Sequence, residues 1–176
     1  MSKLAVRLLF CAMATGPAPL AMACGYDAIY PNPFEQSWPG SLDIAIATAT
    51  AVSSQDLAPV AKMVGPDGFN RSYQWLNQLK GVLKQGALPG NVSILLVDSG
   101  LWSRVRGKEV LLLQTHTKGP AKRDRVVLTS EAGIQALLSG QLSVAQAKQL
   151  GLLVIEDDPD DAFSQSLDRA LSQATS

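Results

Sequence analysis

The residues able to do chemistry are few and scattered. His116 is the single histidine, set between Thr115 and Thr117, and a Ser-His-Asp relay built on it would need a carboxylate such as Asp98 and a serine nucleophile. No serine sits in the spacing of a nucleophile elbow. A zinc or other transition-metal centre needs several N, S or O ligands converging, which one histidine and one cysteine near the N-terminus do not supply. The acidic run Glu156, Asp157, Asp158, Asp160 and Asp161 has the oxygens for a hard cation. Calcium loops, however, alternate their acids, bend at a glycine and finish on a bidentate glutamate. This run lacks that order and reads instead as carboxylates complementing the positive end of a following helix. Gly86-Ala87-Leu88-Pro89-Gly90 lacks the lysine and the helix of a phosphate-cradling loop. No catalytic residue, cofactor or metal is expected, and the chain reads as a non-enzyme.

A basic set gathers around the predicted loops. Arg104, Arg106, Lys122, Arg123 and Arg125, with Lys108 and Lys118 nearby, would form a positive rim if the turns emerge at one end, suited to lipid headgroups or an acidic partner. Alternating outward charges on solvated turns are the plainer reading. The precursor balances 15 basic against 15 acidic residues. Removal of residues 1–23 takes Lys3 and Arg7 with it, which leaves a net of about −2 and argues against nucleic acid as a partner.

That removal is expected from the N-terminus itself. Lys3 and Arg7 make a positive start, Leu8 to Ala14 an apolar run, Gly16, Pro17 and Pro19 a break, and Ala21-Met22-Ala23 the small residues a signal peptidase reads. The run is too short to span a bilayer. Export to a bacterial periplasm follows as the expectation. Cys11 leaves with the leader, so Cys24 would be both the first mature residue and the one remaining cysteine, and no internal disulfide can form. A cysteine in that position resembles the acylation site of a bacterial lipoprotein, with Ala23 matching the position before it. Ala21 departs from the usual leucine, so lipid anchoring at the envelope and a simple free thiol both stay open.

The elements that must position these groups are legible in turn. Residues 24–41 form an irregular arm rich in proline and aromatics, with Tyr26, Tyr30, Phe34 and Trp38, and residues 42–176 form a single α+β domain. The chain is 47% hydrophobic, enough for a sizeable core. Ser41 can cap a helix to about Ser53, favoured over a strand by Ala45, Ala47, Ala49 and Ala51, with Leu42, Ala45, Ile46, Ala49 and Val52 on its inner side. Phe69 to Gln85 repeats apolar residues at helical spacing and stops at Gly86. The period then shortens: Val92 to Val97, a turn at Asp98-Ser99-Gly100, Leu101 to Val105, a turn at Gly107-Lys108, then Glu109 to His116. Asp124 to Leu128 makes a fourth strand. Ser130 opens a helix that Gly140 ends, Ser143 opens another that Gly151 ends, and Leu152 to Ile155 reads as a fifth strand buried on both faces. The last helix begins in the acidic run, with Pro159 in its first turn and Ala162, Phe163, Leu167, Ala170 and Leu171 inward. The sum is an α+β fold, a sheet of about five strands, largely antiparallel, covered by helices.

Residues 124 to 171 carry a resemblance. Asp124 at a strand start, Thr129-Ser130 before a helix, Ser139-Gly140-Gln141-Leu142, alanines at 145 and 147, and Gly151 leading Leu152-Leu153-Val154-Ile155-Glu156 resemble the C-terminal half of a sterol carrier protein domain of the nonspecific lipid-transfer type. The preceding strands agree by pattern only. Asp157-Asp158 stands where that family commonly has glycine then aspartate. The resemblance implies helices on a sheet and an apolar tunnel, but no catalytic signature, so no functional residue is carried over. A proteobacterial exported family of unknown role would suit the 129–143 segment equally.

The functional expectation is therefore an exported, non-enzymatic protein that binds a hydrophobic small molecule or lipid between helices and sheet. The alternative is a periplasmic accessory protein that works through a surface, with the aromatic arm as its contact and no bound ligand.

Overall fold

A computed structural model of the chain describes residues 36–87 and 91–175; the leader, Cys24 and the arm through Glu35 lie outside the described residues. The elements are α1 (Ser41–Ser53), α2 (Gly65–Gln85), β1 (Val92–Leu96), β2 (Leu101–Arg106), β3 (Leu112–Thr115), β4 (Arg125–Thr129), α3 (Glu131–Leu138), α4 (Val144–Gln149), β5 (Leu153–Ile155) and α5 (Ala162–Ala174). The strands form one five-stranded sheet in the order β3-β2-β1-β4-β5. β1, β2 and β3 are an antiparallel meander, as their spacing predicts. β4 does not extend that meander beyond β3. It crosses back and lies parallel to β1, with Val92 opposite Arg125 and Leu96 opposite Thr129. The fold is α+β with a mixed sheet, and β5 closes it antiparallel to β4.

Alternation along the strands feeds two cores. Val92, Ile94 and Leu96 face one side with Leu101, Val105, Val127 and Leu153, and meet Leu76, Leu79 and Leu83 of α2, Ile134 and Leu137 of α3, and Phe163, Leu167 and Leu171 of α5. Side chains fill this layer, and each fully buried leucine, such as Leu76 or Leu83, contributes about 1.5–3 kcal/mol. On the opposite face Leu95, Val97, Trp102, Val126 and Leu128 pack under Ile44 of α1. Trp38 stands edge-on to Trp102, ring centroids 5.7 Å apart, and its indole donates to Glu156 at 2.9 Å.

Several expectations need correction. Of the α1 side expected inward, Val52 packs against the core but the rest faces out: Leu42 and Ile46 are 55% and 57% exposed, whereas Ile44 and Ala51 are buried. With alanines on every side, both faces of that helix are apolar enough to bury, and its period does not choose between them. The fifth strand, expected to be buried on both faces, is an edge strand, and Val154 and Ile155 are half-buried. α2 starts one turn earlier than its apolar stripe, because Pro66 suits a first helical turn. β3 is shorter than expected and ends at Thr115, before His116, whose φ of 56° leaves the extended region. Pro159 precedes α5 instead of lying within it. Asp157 takes the left-handed conformation, φ 58°, where the resembled family has glycine. That turn lets Asp158 accept from the backbone N–H groups of Phe163 and Ser164, both at 2.9 Å.

The caps of the middle helices follow expectation. Ser130 accepts from Gly133 N at 3.0 Å, Ser143 and Gln146 form a reciprocal capping box, and Gly140 and Gly151 have φ of 74° and 71°. Among the described residues no helix is long and apolar enough to cross a membrane.

Candidate functional site

The parallel pair β1–β4 sets up the candidate site. β1 runs past the sheet at Val97, whose N–H still donates to Thr129 O at 2.9 Å, so the next residue, Asp98, emerges beside the point where β4 turns into α3. The first N–H of that helix, on Glu131, donates to both Asp98 oxygens at 3.0 Å. Helix N-termini leave such donors unpaired, and a carboxylate there satisfies them.

Glu131 brings a second carboxylate. Its Oε2 lies 2.5 Å from an Arg71 Nη2, and the other Arg71 terminal nitrogen donates to Ala61 O at 2.7 Å. The guanidinium also sits over the Trp75 ring, 5.1 Å from its centroid. One cation from α2 thus pairs with the acid of α3, and its charge also reaches Asp98 in the turn after β1. Enclosure among protein atoms pushes the Asp98 carboxyl up to about 7, and the nearby Glu131 charge adds to the rise. The Glu131 N–H and the Arg71 charge pull it back. Asp98 nevertheless keeps an exposed edge. Water at that edge moderates the effect, so what bears on chemistry is the direction: a carboxyl protonated well above the ordinary carboxylate range.

That exposed edge opens into a cleft of about 290 Å³. Ala45, Ala49 and Val52 of α1 form one wall, Pro59 and Val60 of the 54–64 segment face them, and Val97 and Ala132 close the floor. Thr48, Ser130 and Asp98 supply the polar groups, and Thr48 Oγ1 donates to Ser130 Oγ at 2.9 Å. The outward-facing stripe of α1 is therefore the wall of a cleft. Apolar walls with a few convergent polar groups and a shifted titratable group are the general form of a small-molecule site.

A second cleft, about 390 Å³, lies between α4 and α5. It is the larger of the two, and its charged side chains are engaged with one another and with the backbone. Lys148 pairs with Asp161 and reaches Ser164 Oγ at 3.2 Å, while Asp168 accepts from Val144 N at 2.7 Å.

The residues singled out from sequence are dispersed. His116 lies against Phe69, ring centroids 4.9 Å apart and the planes tilted by 38°. The acidic run divides its carboxylates: Glu156 accepts from Trp38, Asp158 caps α5 and stands 3.5 Å from Arg125 Nη1, and Asp161 holds Lys148. No group of three or more histidine, cysteine or acidic residues among those described is placed to hold a metal ion. Of the basic set, Arg104 is bound to Asp124 at 2.7 Å and Arg125 to the Asp157 carbonyl at 2.6 Å, over the Phe163 ring. Arg106, Lys122 and Arg123 remain exposed. Cys24 lies outside the described residues.

Sequence reasoning places Asp98 in a turn and considers it only as a relay partner for His116, not beside Arg71 and Glu131. The one available hint is an acid directly after a mostly apolar strand, since its neighbours Arg71 and Glu131 come from distant parts of the chain.

Comparison with known proteins adds little. No family model matches the chain, and no curated protein matches it. Among solved structures, the chain is similar to a conserved hypothetical protein from Thermus thermophilus described as possibly a sterol carrier protein, with 14% identity and a TM-score of 0.39, over 68% of this chain and 91% of that one.

Proposed function

We propose that this is a non-enzymatic, exported binding protein that holds a small hydrophobic molecule in the cleft between α1 and the start of α3. The observation that supports this reading is the cleft's composition: Ala45, Ala49, Val52, Pro59 and Val60 leave apolar surface facing open space, while the polar groups collect at one end. At about 290 Å³ the space falls just below the roughly 300–1,000 Å³ of typical ligand sites. It suits a short aliphatic or single-ring compound better than a complete membrane lipid. The layer between the sheet and α2 to α5, where a lipid tunnel would run, is occupied by the larger core. Export rests on the leader features of residues 1–23.

The test is an NMR titration of the isotopically labelled full chain with 1-octanol, an uncharged probe with an aliphatic body. Saturable shifts centred on Thr48, Val60, Val97 and Ala132 are expected. Ala49→Trp, on the exposed side of α1, should fill the cleft and abolish them while leaving the circular dichroism of the fold intact. Shifts that never saturate, or that centre on the α4–α5 cleft, overturn the reading.

A further inference from the structure

Resting on that reading, we propose that the ligand's head is a protonated amine, seated on the Asp98 carboxylate with its apolar body between α1 and Pro59–Val60. The argument is one of charge and geometry. Two acids and one cation meet at the head of the cleft, and the cation is already engaged. Arg71 is held by Glu131, by Ala61 O and by the Trp75 ring, and neither Arg71 nor Glu131 is among the residues that line the cleft. Asp98 lines the cleft itself. An ionised carboxylate offers about four acceptor positions, and the Glu131 N–H uses one side of it. The remaining positions lie at the exposed edge, where an ammonium could bind while keeping part of its hydration.

No other charge lines this end of the cleft among the described residues. α1 contributes Thr48, the 54–64 segment Pro59 and Val60, and α3 with its cap Ser130 and Ala132; Glu131 and Arg71 are the charged groups that act on Asp98. An anionic head would meet a surplus of negative charge. A cationic head would relieve it, and would favour the ionised form of a carboxyl that enclosure otherwise keeps partly protonated at neutral pH.

Three probes of equal chain length decide the matter: octylammonium, 1-octanol and octanoate, titrated calorimetrically into the full chain. A charge-assisted hydrogen bond should make octylammonium bind at least about tenfold tighter than octanol, with octanoate weakest. Because enclosure raises the Asp98 carboxyl above the ordinary carboxylate range, octylammonium affinity should rise as the pH is raised from about 5 to about 8, and more steeply than octanol affinity. Asp98→Asn should bring octylammonium and octanol to the same affinity in the variant and remove the pH dependence. The wild-type comparisons stand without the variant should it fold poorly. Octanol binding with no amine preference, or with octanoate preferred, sinks the head-group inference and spares the cleft reading; absence of octanol binding sinks the cleft reading itself.

Discussion

Replacing Asp124 by asparagine tests whether a buried ion pair holds the open end of the sheet together. The Asp124 side chain is 1% exposed and Arg104 is 24% exposed. Ser93 Oγ donates to the carboxylate at 2.6 Å, Arg104 Nη2 at 2.7 Å and Ala121 N at 3.1 Å. Burial alone would raise this carboxyl, but the bonds from Ser93 and Arg104, with the Ala121 N–H and the Arg104 charge, outweigh it and hold it below the ordinary range. Breaking a fully buried pair costs about 3–5 kcal/mol. Arg104 can turn partly to water when its partner is lost, and asparagine keeps one acceptor oxygen, so Asp124→Asn should cost nearer 2–3 kcal/mol, about the range for a charged hydrogen bond. Urea denaturation at pH 7 measures it. The pH dependence identifies the cause. A carboxyl whose folded pKa is depressed contributes stability that is present above its unfolded value, about 3.9, and is lost as pH falls through the folded value. The gap between wild type and variant should therefore be full at about pH 5 to 7 and shrink below about pH 4. A gap under about 0.5 kcal/mol at pH 7, or one that persists unchanged in acid, would refute the reasoning.

Two further outcomes follow from the same geometry. Gly133→Ala would gain about 1 kcal/mol of helix propensity at an exposed site. Here the added Cβ would run into Thr129 Oγ1 and come within 3.2 Å of Leu152 O, the two ends of a 2.8 Å hydrogen bond. The variant should instead be about 1–3 kcal/mol less stable, and an equal or higher denaturation midpoint would show that the turn of β4 into α3 is looser than described. The Asp98 carboxyl should titrate in ¹³C NMR above the ordinary carboxylate range, lower in Glu131→Gln, where the repelling charge is gone, and higher in Arg71→Ala. For stability the sign is opposite to that of Asp124: the contribution is present below the unfolded value and lost as pH rises through the folded one. Movement of the two variants in the same direction would discount the charge triad.

Much of the fold was legible because it is written in local chemistry. Ser130, Gly140, Ser143 and Gly151 mark the limits of α3 and α4 through caps that need no distant partner. The meander likewise follows from Gly100 and Gly107 between apolar runs. What was not legible depends on partners far along the chain. Nothing in residues 125–129 says that they lie parallel to β1, because a strand's hydrogen bonds are equally satisfied on either side of a meander. The inward face of α1 is decided by which of two apolar sides fits over Leu95 and Leu128. The site suffers most from this. An aspartate in a turn is ordinary until Glu131 and Arg71, brought from α3 and α2, surround it.

The central position of the parallel pair also bears on how the chain acquires its shape. Until residues 125–129 arrive, the β1–β2–β3 meander presents the whole length of β1, Val92 to Leu96, as an unpaired and apolar rim. Open rims of that kind recruit other extended chains, and a pairing that spans so many residues forms slowly. A chain cut short before Arg125 should therefore aggregate.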